Sequence, residues 1–364
     1  MITDKMTYRW LWSCLIVGGL LLMAACSDIH EELPQPSPVS EPELGSPLEL
    51  RSVTRTSGAT QIGDATCPNI KVILTSETEV VKNGYFRYQV GTGWTSDLSV
   101  KEERQYYLYG HMPETITEST ITYTKPQGGN YSDGIDISMT NLPAITTDDV
   151  CVIVGVERVD GITTNTPNVT PGVFSYLSGI WGKNFVNLLM GHIYGGLELN
   201  FKLDADYAKL RSIHLKTITL STNYNHVNAT IQLRQGKGID QAIFTKVDNT
   251  SSNPITMLNA ETPETVLDDR YTVTALKLSK LAYCFPSIFA AEGATLSIET
   301  TYDVYDRTKN KNLGERTSTN KLRITSSAIK PGQKKTVILT VQPTYLYVLS
   351  DGDLDNPEIK GEIN

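Results

Sequence analysis

A chain of 364 residues with 40% hydrophobic and 20% charged content has room for two domains of ordinary size. Its formal net charge of −8, without a cluster of basic residues, excludes a nucleic-acid-binding face, which must be cationic. Apart from one run near the start, no apolar stretch approaches the length needed to cross a bilayer.

That run comes first in chain order. Lys5 and Arg9 precede an apolar segment of about 15 residues, from Leu11 to Ala25, the length of a secretory signal and too short for a comfortable span. Residues 1–25 therefore read as a cleaved signal peptide. Met23 to Cys26, with Ala24 and Ala25 before the cysteine, resembles the lipobox of bacterial lipoproteins. The resemblance implies acylation of Cys26, by palmitate-type chains, as the mature N-terminus. Two or more chains make membrane attachment stable at about 0.8 kcal/mol per buried methylene. Ser27, Asp28, Glu31 and Glu32 resemble the acidic signal that sends lipoproteins to the outer face of the outer membrane. An ordinary secretory signal ending in a chance cysteine is the alternative.

Ile29 to about Pro47 is rich in Pro, Glu and Ser and reads as a tether. Pro47 to Thr54 then alternates like a strand, with Leu48, Leu50 and Ser52 against Glu49, Arg51 and Val53. Arg55 follows, and Thr56 to Gly63 reads as a flexible loop, so a trypsin-like protease is expected to find Arg55 accessible.

Beyond this the chain reads as strands. Ile70, Val72 and Leu74 alternate with their neighbours, as do Ile135, Ile137 and Met139, which predicts half-buried antiparallel strands. Arg104 to Gly110 carries Tyr106, Tyr107 and Tyr109, suited to cross-strand packing. Val150 to Val156 is continuously apolar and belongs at the centre of a sheet. A Thr-, Asn-, Pro- and Gly-rich stretch between Gly161 and Gly182 places a domain boundary there. Leu197, Leu199, Phe201 and Leu203 form the cleanest alternation, Asp204 to Leu210 a single helical turn. The phase change between Ile213/Leu215 and Ile218/Leu220 predicts a β-bulge near Thr217. Further strands are expected at Ala229 to Arg234, Tyr271 to Leu278, Thr295 to Val304 and Thr336 to Val341. The predicted class is all-β, two tandem antiparallel β-sandwiches over 56–182 and 183–342, after a signal peptide (1–25) and a tether with its first strand (26–55).

A tail, 343–364, remains. Tyr345, Leu346, Tyr347, Val348 and Leu349 form a strand-like run, with Ile359 and Ile363 further on. A terminal strand either closes its own sheet or adds to another molecule's. Asp351, Asp353, Asp355 and Glu362 occupy EF-hand positions, but Asn356 stands where that loop needs glycine and Pro357 follows, so a solvated turn is expected.

No catalytic motif is present: no GxSxG, HExxH or phosphate-binding glycine loop. His30, His111, His192, His214 and His226 are scattered and read as surface or hydrogen-bonded residues. Cys67, Cys151 and Cys284 are odd in number and lack metal spacing; Cys151 reads as a small buried hydrophobe. The expectation is a non-enzyme without cofactor or metal.

Three segments together resemble the fimbrillin family of lipoprotein-derived type V pilus subunits. They are the lipobox followed by Val53-Thr54-Arg55; Asn187 to His192 leading into Gly196 to Leu203 and Leu210 to Ile213; and Val341 to Ser350 with Asp353 to Pro357. The resemblance implies transthyretin-like sandwiches and a surface precursor cut by an arginine-specific protease. Loss of the first strand would open a groove for the C-terminal strand of the next subunit. Arg55 is then the first cleavage candidate and Arg51 the second, and Tyr345, Leu346, Tyr347, Val348, Leu349, Ile359 and Ile363 are the donor residues. Implied partners are copies of itself, related subunits, the outer membrane, the protease and host or bacterial surface ligands. A stalk role is expected in the fimbria; the alternatives are a monomeric lipoprotein adhesin binding carbohydrate or a host ligand, through Tyr106, Tyr107 and Tyr109 for example, and an anchor or tip subunit.

Overall fold

Apolar residues at alternate positions make strands, and strands dominate the computed structural model, which describes residues 45–56, 68–160, 168–180, 184–247, 250–260, 265–285, 295–323, 330–344 and 353–363. The fold is all-β, in several sheets. The largest orders its strands Glu49–Arg55, Phe185–His192, Cys151–Val159, Gln105–Met112, Ile70–Thr75, Val80–Gln89 and Gly93–Ser96, with Ser175–Leu177 also paired to Gln105–Met112. A five-stranded sheet runs Ile145–Thr146, Leu276–Cys284, Gly195–Leu203, Lys334–Thr344 and Asp353–Ile363. A third sheet is built on Arg211–Thr222, Thr295–Asp306 and Lys311–Arg323, a fourth on His226–Arg234 and Gly134–Pro143. Strands from both sides of residue 182 share sheets, since Phe185–His192 pairs with Cys151–Val159 and His226–Arg234 with Gly134–Pro143.

The apolar run predicted to be central is central. Cys151–Val159 pairs with Phe185–His192 on one side and meets Gln105–Met112 on the other. Its continuous hydrophobicity has a direct cause in the period of two: Cys151, Ile153 and Val156 face a smaller core, while Val152 and Val154 face a larger one. Val186, Leu188 and Met190 also face the smaller core and Leu189 the larger. These two strands are a wall between two cores.

The predicted turn after Leu203 is the helix Ala205–Leu210, capped by Asp204, whose carboxylate accepts from the Asp206 and Tyr207 N–H groups at 3.0 and 2.9 Å. The bulge falls between Leu215 and Thr217 in the pairing with Thr295–Asp306, as the phase change requires. Two expectations need correction. Ile73 and Thr75 are buried along with Ile70, Val72 and Leu74, so this strand is covered on both faces rather than half-buried. The strand expected from Tyr271 begins at Leu276, because Asp268 accepts from the Arg270 N–H and starts the 3₁₀ turn Asp269–Tyr271 instead.

Candidate functional site

Glu49–Arg55 is an edge strand of the largest sheet, and it runs parallel to its one neighbour, Phe185–His192, from Glu49 opposite Phe185 to Arg55 opposite Met190. Leu48 and Val53 are fully buried and Leu50 is 5% exposed, all in the smaller core with Val186, Leu188 and Met190. A register shift at Val186/Asn187 carries Val53 inward after Leu50, which plain alternation did not foresee. Ser52 reads the same site in polar terms, donating to Asn187 Oδ1 at 2.7 Å, while Asn187 Nδ2 donates to Glu157 Oε2 at 2.9 Å. Burial of these three apolar side chains stabilises the strand by roughly 1.5 to 3 kcal/mol each, an upper figure for an edge strand.

Arg55 was expected at the mouth of an accessible loop. It is instead the last residue of the strand, with its side chain only 19% exposed and Nη1 2.8 Å from Asp149 Oδ2. The next amide is tied down too, since Thr56 N–H donates to Met190 O at 3.0 Å. The bond after Arg55 is therefore part of the sheet, and a protease reaches it only when the strand end frays. Arg51 lies mid-strand, its guanidinium 3.7 Å from the centre of the Phe185 ring and 3.5 Å from Glu49.

Behind Arg55 lies a cluster that pattern reading did not assemble. His192 Nδ1 is 2.9 Å from the Asp149 carboxylate and 3.5 Å from Cys151 Sγ. Burial pushes the Cys151 thiol well above its ordinary range, and the Asp149 charge adds to the effect. Burial likewise raises Tyr283 to about 12, Asp149 reinforcing and Arg55 opposing. A cavity of about 400 Å³ opens beside the cluster, walled by Arg55, Asp149, His192, Tyr194, Tyr283 and Lys334. The sequence signal was faint: Asp149 and Cys151 stand two apart, but nothing linear joins them to His192 or Arg55.

The last described strand, Asp353–Ile363, pairs antiparallel with Lys334–Thr344 at the edge of the five-stranded sheet. Ile359 is buried in the larger core. The Tyr207 and Tyr302 hydroxyls donate to Leu354 O and Pro357 O at 3.0 and 3.2 Å. Arg211 pairs with Asp355 at 2.9 Å, and Arg316 Nε donates to Asn356 Oδ1 at 2.9 Å. The expected solvated turn is thus corrected over 353–362: Asp353 accepts from the Asp355 and Asn356 N–H groups, Asp355 serves Arg211, and Glu362 lies far along the strand. Hydrogen bonding from Asn356 holds the Asp353 carboxyl below its usual range. Cys26, Cys67, Asp351 and the run Tyr345, Leu346, Tyr347, Val348 and Leu349 lie outside the described residues, as does the Ile363 side chain.

The tyrosines offered for sugar stacking are used in packing. Tyr106 and Tyr109 are buried and Tyr107 is half-buried against the larger core. His214 stacks on Tyr305 with ring centres 3.8 Å apart, and His226 is 3.5 Å from Glu118.

No family model matches the chain, and no curated protein matches it. Similar solved structures include a fimbrial protein from Bacteroides vulgatus, at 12% identity over 86% of this chain and 98% of that one, TM-score 0.40. A proposed cell adhesion protein from Bacteroides uniformis is similar at 12% identity over 86% and 97%, TM-score 0.39. A fimbrial protein from Bacteroides ovatus is similar at 10% identity over 81% and 48%, TM-score 0.31. At such scores these are likenesses of the chain, and the functional reading rests on its own residues.

Proposed function

We propose that this chain is a structural subunit of a surface pilus, made as a lipoprotein anchored through Cys26 to the outer membrane and activated by proteolysis after Arg55. Cleavage releases the strand Glu49–Arg55, and the C-terminal strand of another copy, or of a related subunit, takes its place. The observation that carries this reading is the placement of the two end strands. Each is an outermost strand with one partner, and each fills a different core, Leu48, Leu50 and Val53 the smaller and Ile359 the larger. Either can leave without dividing a sheet in two. Filling the vacated groove with about five large apolar side chains contributes on the order of 10 kcal/mol before the tail's ordering cost. Head-to-tail addition of this kind does not close on itself and grows a filament. The chain acts as a building block, not an enzyme.

The test is limited trypsin treatment of purified precursor beside an Arg55→Ala control. Ladders in the trimmed wild type and none in the control support the reading; monomers in both refute it. One observation favours a second reading, a surface-anchored lipoprotein adhesin that works as a monomer. The last strand is held to its own body by Tyr207, Tyr302, Arg211 and Arg316, and these contacts must break before it can be donated.

A further inference from the structure

The cluster behind Arg55 has the make-up of a metal site. Cys151 and His192 stand directly opposite one another in the antiparallel pairing, and Asp149 lies two residues before Cys151, just ahead of the strand. One ligand atom from each of the three lies within 4.8 Å of the others. Around a tetrahedral zinc with bonds of about 2.0 to 2.3 Å, neighbouring ligand atoms stand roughly 3.3 to 3.8 Å apart. His192 Nδ1 is 2.9 Å from Asp149 Oδ1 and 3.5 Å from Cys151 Sγ, so shifts of under about 1 Å convert the hydrogen-bonded cluster into a ligand set. His192 Nε2 is buried without a hydrogen-bond partner, so the ring directs its contacts through the nitrogen that faces the other two groups. The adjoining cavity of about 400 Å³ supplies a path from outside and space for a water as fourth ligand. Among the described residues this is the one cluster of three such side chains.

We propose that Asp149, Cys151 and His192 bind a thiophilic divalent cation of the zinc class, and that Arg55 is the internal cation opposing it. Thiolate and imidazole are poor ligands for calcium or magnesium, which sets the class. On binding, the Cys151 thiol gives its proton to water and the sulfur–metal bond forms. The proton that His192 Nδ1 holds toward Asp149 leaves through water and Nε2 takes one up, so that Nδ1 presents its lone pair to the metal. The carboxylate turns from the Arg55 guanidinium, 2.8 Å away, to the metal. Two cations drawn to one carboxylate oppose each other, so Arg55 weakens the metal and, by the same factor, the metal weakens the hold on Arg55. The site stands whether or not the chain polymerises.

The test uses the whole, uncut chain with Co²⁺ as spectroscopic probe and Zn²⁺ as competitor, folding being checked by circular dichroism. Arg55→Ala is expected to show a thiolate-to-cobalt charge-transfer band saturating at one equivalent and bleached by Zn²⁺. Wild type should show the same band with at least tenfold weaker affinity, and Cys151→Ser none. Absence of the band in folded Arg55→Ala, its survival in Cys151→Ser, or equal affinity in wild type and Arg55→Ala would each overturn the proposal.

Discussion

Arg55 Nη1 sits 2.8 Å from Asp149 Oδ2, and the carboxylate is 4% exposed. The residue that would mark the cleavage site is thereby held inside the fold by a buried charge. Removing one partner of such a pair costs about 3 to 5 kcal/mol when the other charge is left unpaired. The pair therefore acts as a clasp on the end of the first strand.

Releasing that clasp should speed cleavage. Asp149→Asn keeps the shape but drops the charge, so trypsin should cut after Arg55 at least tenfold faster than in wild type, with product beginning at Thr56 by N-terminal sequencing. An unchanged rate in a folded variant would show that fraying of the strand does not depend on Asp149.

Leu50 fills the smaller core from the first strand, and Leu50→Ala should lower the stability of the uncut chain by about 2 to 4 kcal/mol in urea unfolding. In trimmed protein the same substitution should have no effect, because that strand has gone.

The hold on the last strand is measurable at Tyr207. Its ring is buried and its hydroxyl donates to Leu354 O at 3.0 Å, so Tyr207→Phe removes one hydrogen bond, about 1 kcal/mol, and little packing. Faster hydrogen exchange confined to the amides of 353–363 is the expected signature.

Acid should loosen the molecule through His111. Burial lowers this imidazole to about 4 from an ordinary 6.5. The unfolded chain takes up the proton as pH falls through about 6.5 and the folded one only near 4, so stability is fully present above that window and declines as pH falls through it. The loss approaches 3 kcal/mol as an order of magnitude. Unfolding of His111→Gln between pH 7 and 4 should lack that part of the slope.

Much of the fold was legible because its signals are local. The alternation from Leu197 to Leu203 is a strand between two others, and the phase change at Thr217 is a bulge. Lys311–Arg323 escaped the same reading because it is an edge strand with no fully buried residue, so its pattern is charge and threonine without apolar alternation. The site was half legible. Leu48, Leu50 and Arg55 stand out in the chain, but the pairing of Arg55 with Asp149, and of His192 with Asp149 and Cys151, depends on three separate regions of the chain meeting, and no linear spacing encodes it. The acidic tail misled as a turn because Asp353 caps its own backbone at the start of what continues as a strand.

The most direct test of strand exchange is to trim the chain after Arg55 with and without the tail residues 345–364 and measure the size of the products by mass photometry, circular dichroism confirming that each is folded. The account expects filaments or ladders from the trimmed chain that retains its tail, and monomers from the uncut chain and from the trimmed chain lacking it. Monomers from the trimmed, tail-bearing chain, or polymers that form without the tail, would contradict it.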